Sequence, residues 1–151
     1  MDKKVFENLS YGMYIIGAKE EKNVGCIANT VVQITSQPMT IAVSLHHDNL
    51  TNQTIQKTKK FSVSILPEKT DPKVISTFGY QSSREIDKYE NLDTIDLEGF
   101  PVLKNSCGAM ICKVIDTMET STHTIFLAEV IQTDYYQETP PMTYRYYREV
   151  L

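Results

Sequence analysis

The sequence has no tryptophan, and only three cysteines are spread through its 151 residues, with no CxxC pair among them. Cys26, Cys107 and Cys112 leave one thiol over if any two join, so reduced thiols and a cytoplasmic setting are expected. Long apolar runs are missing too: none approaches the roughly 20 residues that a membrane-spanning helix needs. The opening "MDKKVFENLSYGMYIIGA" has an early acid, a serine and no clear cleavage site, so it is not read as a signal peptide. A large charge of one sign is also lacking. The formal net charge is -4, with acids and bases mixed along the chain. Bulk attraction to nucleic acid is therefore not expected, although a local basic pocket stays open. No P-loop, GxGxxG or ordered Ser–His–Asp set occurs, so phosphoryl transfer, a Rossmann site and triad hydrolysis lack a motif. His46, His47 and His123 supply ligand types for a metal, but no spacing among them and the cysteines follows a zinc pattern. No metal is expected.

What is present suits one domain over residues 1–151, with an apolar fraction of 41% that can fill an ordinary core. Tyr11–Ala18 reads as a strand, "KEEKN" as a polar turn, and "VGCIANTVVQITS" as further extended chain. Pro38 breaks that run, and Met39–Leu45 is rich in β-branched and apolar residues. Asp48 or Asn49 can cap a helix carrying Leu50 and Ile55, with basic residues gathered at its end. Phe61–Leu66 alternates as a strand does, and Asp71 followed by Pro72 marks another helix start. A short helix is expected through "REIDKY", and "DLEGFPVL" reads as irregular. "GAMICKVIDTME" and "HTIFLAEVIQTDYY" read as two long paired strands, while the tail "TPPMTYRYYREVL" has no clear assignment. Strands in close succession with short connections point to a mainly β fold, an antiparallel meander curled into a barrel with helices outside.

Three polar groupings interrupt this pattern. Asn29 and Thr30 sit between strand-like stretches. Their side chains can serve a turn, or they can read the edge of a flat hydrogen-bonding ligand. In "DNLTNQTI", Asn49 and Thr51 cluster where a helix begins, and unpaired N–H groups there suit a phosphate or an ordinary cap. Arg84, beside Ser82 and Ser83, can add a forked cation to the same anion. His123, just before an apolar strand, can donate to a ligand, shuttle a proton or bond a loop carbonyl. His46 and His47 read as part of a solvated loop, and the tyrosines near the end as a core or dimer stripe.

Taken in order, "SYGMYIIGA", "GCIANTVVQITSQP", "IAVSLHHDNLTNQTI", "FGYQSSREIDKY", "FPVL", "THTIFLAEV" and "MTYRYY" resemble the flavin reductase-like family. The branch that contains flavoredoxins and rubredoxin-fused proteins is the most similar. The resemblance implies an FMN-binding split β-barrel, a homodimer, hydride transfer from NADH or NADPH, and electrons passed onward to an acceptor such as a rubredoxin-like partner. The alternatives are an FMN electron carrier fed by a protein partner and a flavin-independent binding module on the same barrel. It implies that Ile27, Ala28, Asn29 and Thr30 meet the flavin ring edge, with Ile27 standing where the family usually has a hydroxyl residue. Asp48, Asn49 and Thr51 would lie toward the ribityl chain and phosphate, and Ser44 is a further cofactor-binding residue. The "FG-x-x-SGR-x-x-DK" pattern falls on Phe78, Ser82, Arg84 and Lys88, with Ser83 in place of the usual glycine. By the same resemblance Arg84 and Lys88 recognise an anion, and His123 is the catalytic residue that positions the hydride donor.

Overall fold

The computed structural model describes all 151 residues. A 3-10 turn at Lys3–Asn8 leads into β1 (Tyr14–Lys19), β2 (Asn23–Ala28), β3 (Val31–Ser36) and β4 (Met39–His46). Helix α1 (Leu50–Thr58), β5 (Lys60–Ile65) and helix α2 (Pro72–Tyr80) follow. The chain ends with the short pair β6 (Thr94–Leu97) and β7 (Phe100–Leu103), the long pair β8 (Gly108–Glu119) and β9 (His123–Tyr135), and helix α3 (Tyr144–Val150).

Seven strands form one antiparallel sheet in the order β2-β1-β5-β8-β9-β4-β3. Its two outermost strands, β2 and β3, are consecutive in the chain and joined only by Asn29 and Thr30. So short a link forces the sheet to roll until its ends meet, although β2 and β3 form no ladder with each other. The result is a barrel split along one seam. A backbone bond from the Ser44 amide to the Thr30 carbonyl, at 3.4 Å, lies at that seam.

Strand alternation fills the interior. Ile16, Cys26, Val43, Val63 and Phe126 point inward, and Ile55 of α1 joins the same cluster and closes one end. The opposite face of β1 and β2 is covered by α2, whose Ile75 and Phe78 pack with Met13, Ile15 and Leu66. β1 is therefore buried on both faces over Ile15–Ala18. The β6–β7 pair lays Leu97, Phe100 and Val102 over Ala109 and Ile111 of β8.

Three expectations need correction, and the unassigned tail is resolved. "REIDKY" forms turns rather than a helix: the Glu85 and Ile86 amides donate to the Ser82 carbonyl and the Glu90 amide to the Asp87 carbonyl, while the Ser83 and Lys88 side chains tie the segment to the edge of β2. "DLEGFPVL" is a hairpin: Glu98 and Gly99 both take positive φ, 49° and 89°, as a tight turn matching strand twist requires. The tail ends in a helix capped by Thr143, whose hydroxyl accepts the Tyr146 amide at 3.0 Å. The first strand begins at Tyr14 rather than Tyr11, since Gly12 instead bridges to Thr143. The caps of the other helices fall on Asn49 and Asp71, each accepting an amide two residues on.

Candidate functional site

Three adjoining clefts run from the β4–α1 junction past the end of α2 to α3. The first, about 290 Å³, lies between the β4–α1 junction and the turn segment after α2, and includes His46, Asn49, Ser82, Arg84 and Lys88. The second, about 250 Å³, is mostly apolar and is walled by Ile27, Ile75, Tyr80, Tyr144 and Tyr147, with Asn29 on its rim. Gly79 and Tyr80 belong to both. The third, also about 250 Å³, shares Asn29 and Tyr144 with the second and is closed by Phe6, Glu7, Arg145 and Arg148. Together they make one groove, apolar in the middle, with Arg84 and Lys88 at one end and Arg145 and Arg148 beside Glu7 at the other.

The turn segment is tied to β2 through side chains. The Gly25 amide donates to Ser83 Oγ at 3.2 Å, and Ser83 Oγ donates back to the Gly25 carbonyl at 3.2 Å. One hydroxyl thus stands in for a neighbouring strand on an otherwise unpaired edge. Lys88 Nζ adds bonds to the carbonyls of Gly25 and Phe78, at 2.7 and 2.9 Å, and sits 5.6 Å from the Phe78 ring centre. Burial pulls the Lys88 ammonium below its ordinary pKa. Glycine at position 25 is required by packing, since a Cβ there would meet the Tyr89 hydroxyl at 2.7 Å and Phe78 at 2.9 Å. Arg84 bridges to the other wall, donating to the Asp48 carbonyl at 2.9 Å and to Gln53 Oε1 at 2.8 Å.

The residues expected from sequence are distributed as follows. Ile27 and Asn29 line the apolar cleft, and Asn49, Ser82, Ser83, Arg84 and Lys88 line the polar one. Thr30 donates to Asn29 Oδ1 at 3.0 Å, which leaves the Asn29 NH₂ group without a protein acceptor. Ala28 faces the barrel interior, and Ser44 is half-buried opposite Ile125. Thr51 is fully buried behind the cleft wall, with its hydroxyl unpaired. Phe78 is likewise buried, beneath Lys88. His123 is not among the groove-lining residues: its Nδ1 lies 2.8 Å from the Thr122 hydroxyl, and its ring packs edge to face on His46, 5.2 Å between centroids.

Sequence reasoning missed the cleft role of His46, which is exposed as expected but ends β4 and lines the polar cleft rather than sitting in a loop. It also missed Tyr80 and the groove role of Tyr144 and Tyr147, whose wall is joined by a 2.6 Å contact between the Tyr80 and Tyr147 hydroxyls. The cue for the tyrosines was their spacing in "TYRYY", which becomes legible only once α3 is known to be helical. Cys26 is no nucleophile, because burial pushes its thiol up to about 11.

This arrangement suits an elongated ligand with a flat apolar portion, an edge that accepts a hydrogen bond from Asn29 NH₂, and an anionic end near Arg84. The model of the flavin reductase like domain matches residues 6–150. The high molecular weight rubredoxin of Moorella thermoacetica is 39% identical over 99% of this chain and 67% of its own length. The ferric-chelate reductase (NAD(P)H) of Archaeoglobus fulgidus is 33% identical over 97% of this chain and 89% of its own. Among solved structures, the NADH:FAD oxidoreductase of Streptomyces globisporus superposes with a TM-score of 0.85 at 21% identity, covering 93% of this chain and 85% of that one. That last likeness supports the split-barrel fold, and the sequence matches carry the family: this chain belongs to the flavin reductase like domain family.

Proposed function

We propose that this oxidoreductase binds FMN along this groove and takes hydride from NADH or NADPH, with electrons then leaving for an acceptor. The observation that carries the reading is the groove's division into a polar, cationic end and an apolar middle, within a chain of this family. A phosphate fits the end where Arg84, Ser82 and Asn49 converge, and a flat ring system fits between Ile27, Tyr80 and Tyr147. When bound, the flavin supplies hydride acceptance and electron release. The chain's own work is to hold, orient and exclude water. Asn29 NH₂ donates to the ring edge, Lys88 anchors the segment that carries Ser82 and Arg84, and His123 acts from behind His46. Thr51 contributes through the start of α1, not by touching the ligand.

The relatives' names support both kinds of acceptor. One is a ferric-chelate reductase and another a rubredoxin, so an electron-transfer protein of that kind is a proposed partner alongside small acceptors. A homodimer is also proposed. It is supported by the apolar side chains that β3 and the outer parts of β8 and β9 expose, among them Val32, Ile34, Ile115, Met118 and Ile131.

The test is a visible spectrum after FMN loading and desalting, followed by anaerobic reduction with NADH and with NADPH. Bound flavin bands that bleach with either nucleotide are expected. Bands that persist with both would favour a carrier fed by a protein. Within this reading Asn29→Ala raises the FMN Kd by about tenfold, the loss of one good hydrogen bond, with no change in unfolding midpoint. An unchanged Kd removes Asn29 from the ring site.

A further inference from the structure

His46 closes β4, and in the β4–β9 register it stands directly opposite His123. The Asp48 amide donates to His46 Nδ1 at 3.1 Å, so the neutral ring carries its proton on Nε2. The Asp48 carbonyl in turn accepts Arg84 Nη1 at 2.9 Å. One residue's backbone therefore orients both an imidazole and a guanidinium that line the same polar cleft. The Asp48 carboxylate is itself 93% exposed, with Oδ2 3.7 Å from His46 Nδ1, on the ring nitrogen already engaged. His46 Nε2–H has no protein acceptor, and the edge-to-face contact with His123 limits how the ring can turn.

We propose that His46, through Nε2–H, is a second donor beside Arg84 for the phosphoryl group of the bound flavin, and that His123 is the residue that positions it. This rests on the flavin reading above and adds to it a specific ligand group. The shared chemistry is a phosphoryl anion, carried by FMN as a terminal monoester and by FAD as a diphosphate.

Dissociation constants for FMN, FAD and riboflavin, read from flavin fluorescence, test it on five proteins: wild type, His46→Ala, His46→Gln, His123→Ala and His123→Phe. His46→Ala is expected to weaken FMN about tenfold, the size of one charge-assisted hydrogen bond, and to leave riboflavin unchanged. His46→Gln keeps an N–H donor and recovers most of the loss. His123→Ala weakens FMN less, and His123→Phe, which keeps an edge-to-face ring, restores it. Loss confined to FMN assigns the site to a terminal monoester, and equal loss for FMN and FAD assigns it to either phosphoryl form. Equal weakening of FMN and riboflavin, or no weakening by His46→Ala while wild type prefers FMN, overturns the assignment and spares the flavin reading. Wild type that binds no flavin overturns both.

Discussion

The barrel interior and the groove rim are both built on β2, yet they are held by different forces. Inside, Val24 and Cys26 join Val43, Val63 and Phe126 in a cluster with almost no exposure, where close packing and apolar burial dominate. On the edge of the same strand, Gly25 is held by a serine hydroxyl and a lysine ammonium from a turn segment with no regular structure of its own. The interior tolerates no missing atoms, whereas the rim depends on a few directional bonds. The difference teaches why the fold can stay constant while ligand chemistry varies: the groove is decided by side chains that add little to the core.

The largest expected effect belongs to the interior. Phe126→Ala should lower unfolding free energy by about 3–5 kcal/mol, the usual cost of a large core truncation. Urea unfolding followed by circular dichroism measures it, and a loss under about 1 kcal/mol would mean that the interior is not the closely packed region described.

Next comes a pH effect inside the barrel. The Cys26 thiol rises from 9.0 to about 11 on folding, so the folded state holds its proton more tightly than the unfolded chain. Stability linked to this group is complete below pH 9 and is lost as pH rises through about 11. The stability advantage of wild type over Cys26→Ala should accordingly shrink by about 2 kcal/mol between pH 8 and pH 11. A difference that stays flat over that range would remove the buried-thiol account.

The smallest effect is at the rim. Ser83→Gly frees the Gly25 amide and should cost about 1 kcal/mol of stability, the net worth of a hydrogen bond of this kind. Amide exchange at Gly25 should accelerate in the same variant while core amides keep their protection. Equal acceleration across β1, β5 and β2 would show that rim and interior unfold as one unit.

Much of the fold was legible because periodicity reports burial. Alternation in Met39–His46 and Phe61–Ile65 marks inward faces, and the caps Asn49 and Asp71 mark helix starts by a local bond. The β6–β7 hairpin escaped because its Glu98–Gly99 turn lacks the commoner Asn-Gly or Asp-Gly signal. The turn segment was misread because its Ser83 and Lys88 side chains dock it on β2 as short turns, an arrangement that depends on a strand some 60 residues earlier. At the site, Asn29, Asn49, Ser82 and Arg84 stood out through their family pattern, whereas His46, Tyr80 and Tyr147 did not. Their part in the groove arises from elements distant in the chain.

By itself the sequence determined a mainly β chain, most strand positions, two helix caps and the family, since each of these follows from local chemistry or ordered motifs. Only the tertiary structure decided that Thr51 turns inward, that Ser83 stands in for a strand, and that His46 meets His123 edge to face beside Arg84. The physical reason is the two-residue link between the outermost strands. It forces the sheet to close, and closure brings together side chains that no local rule relates.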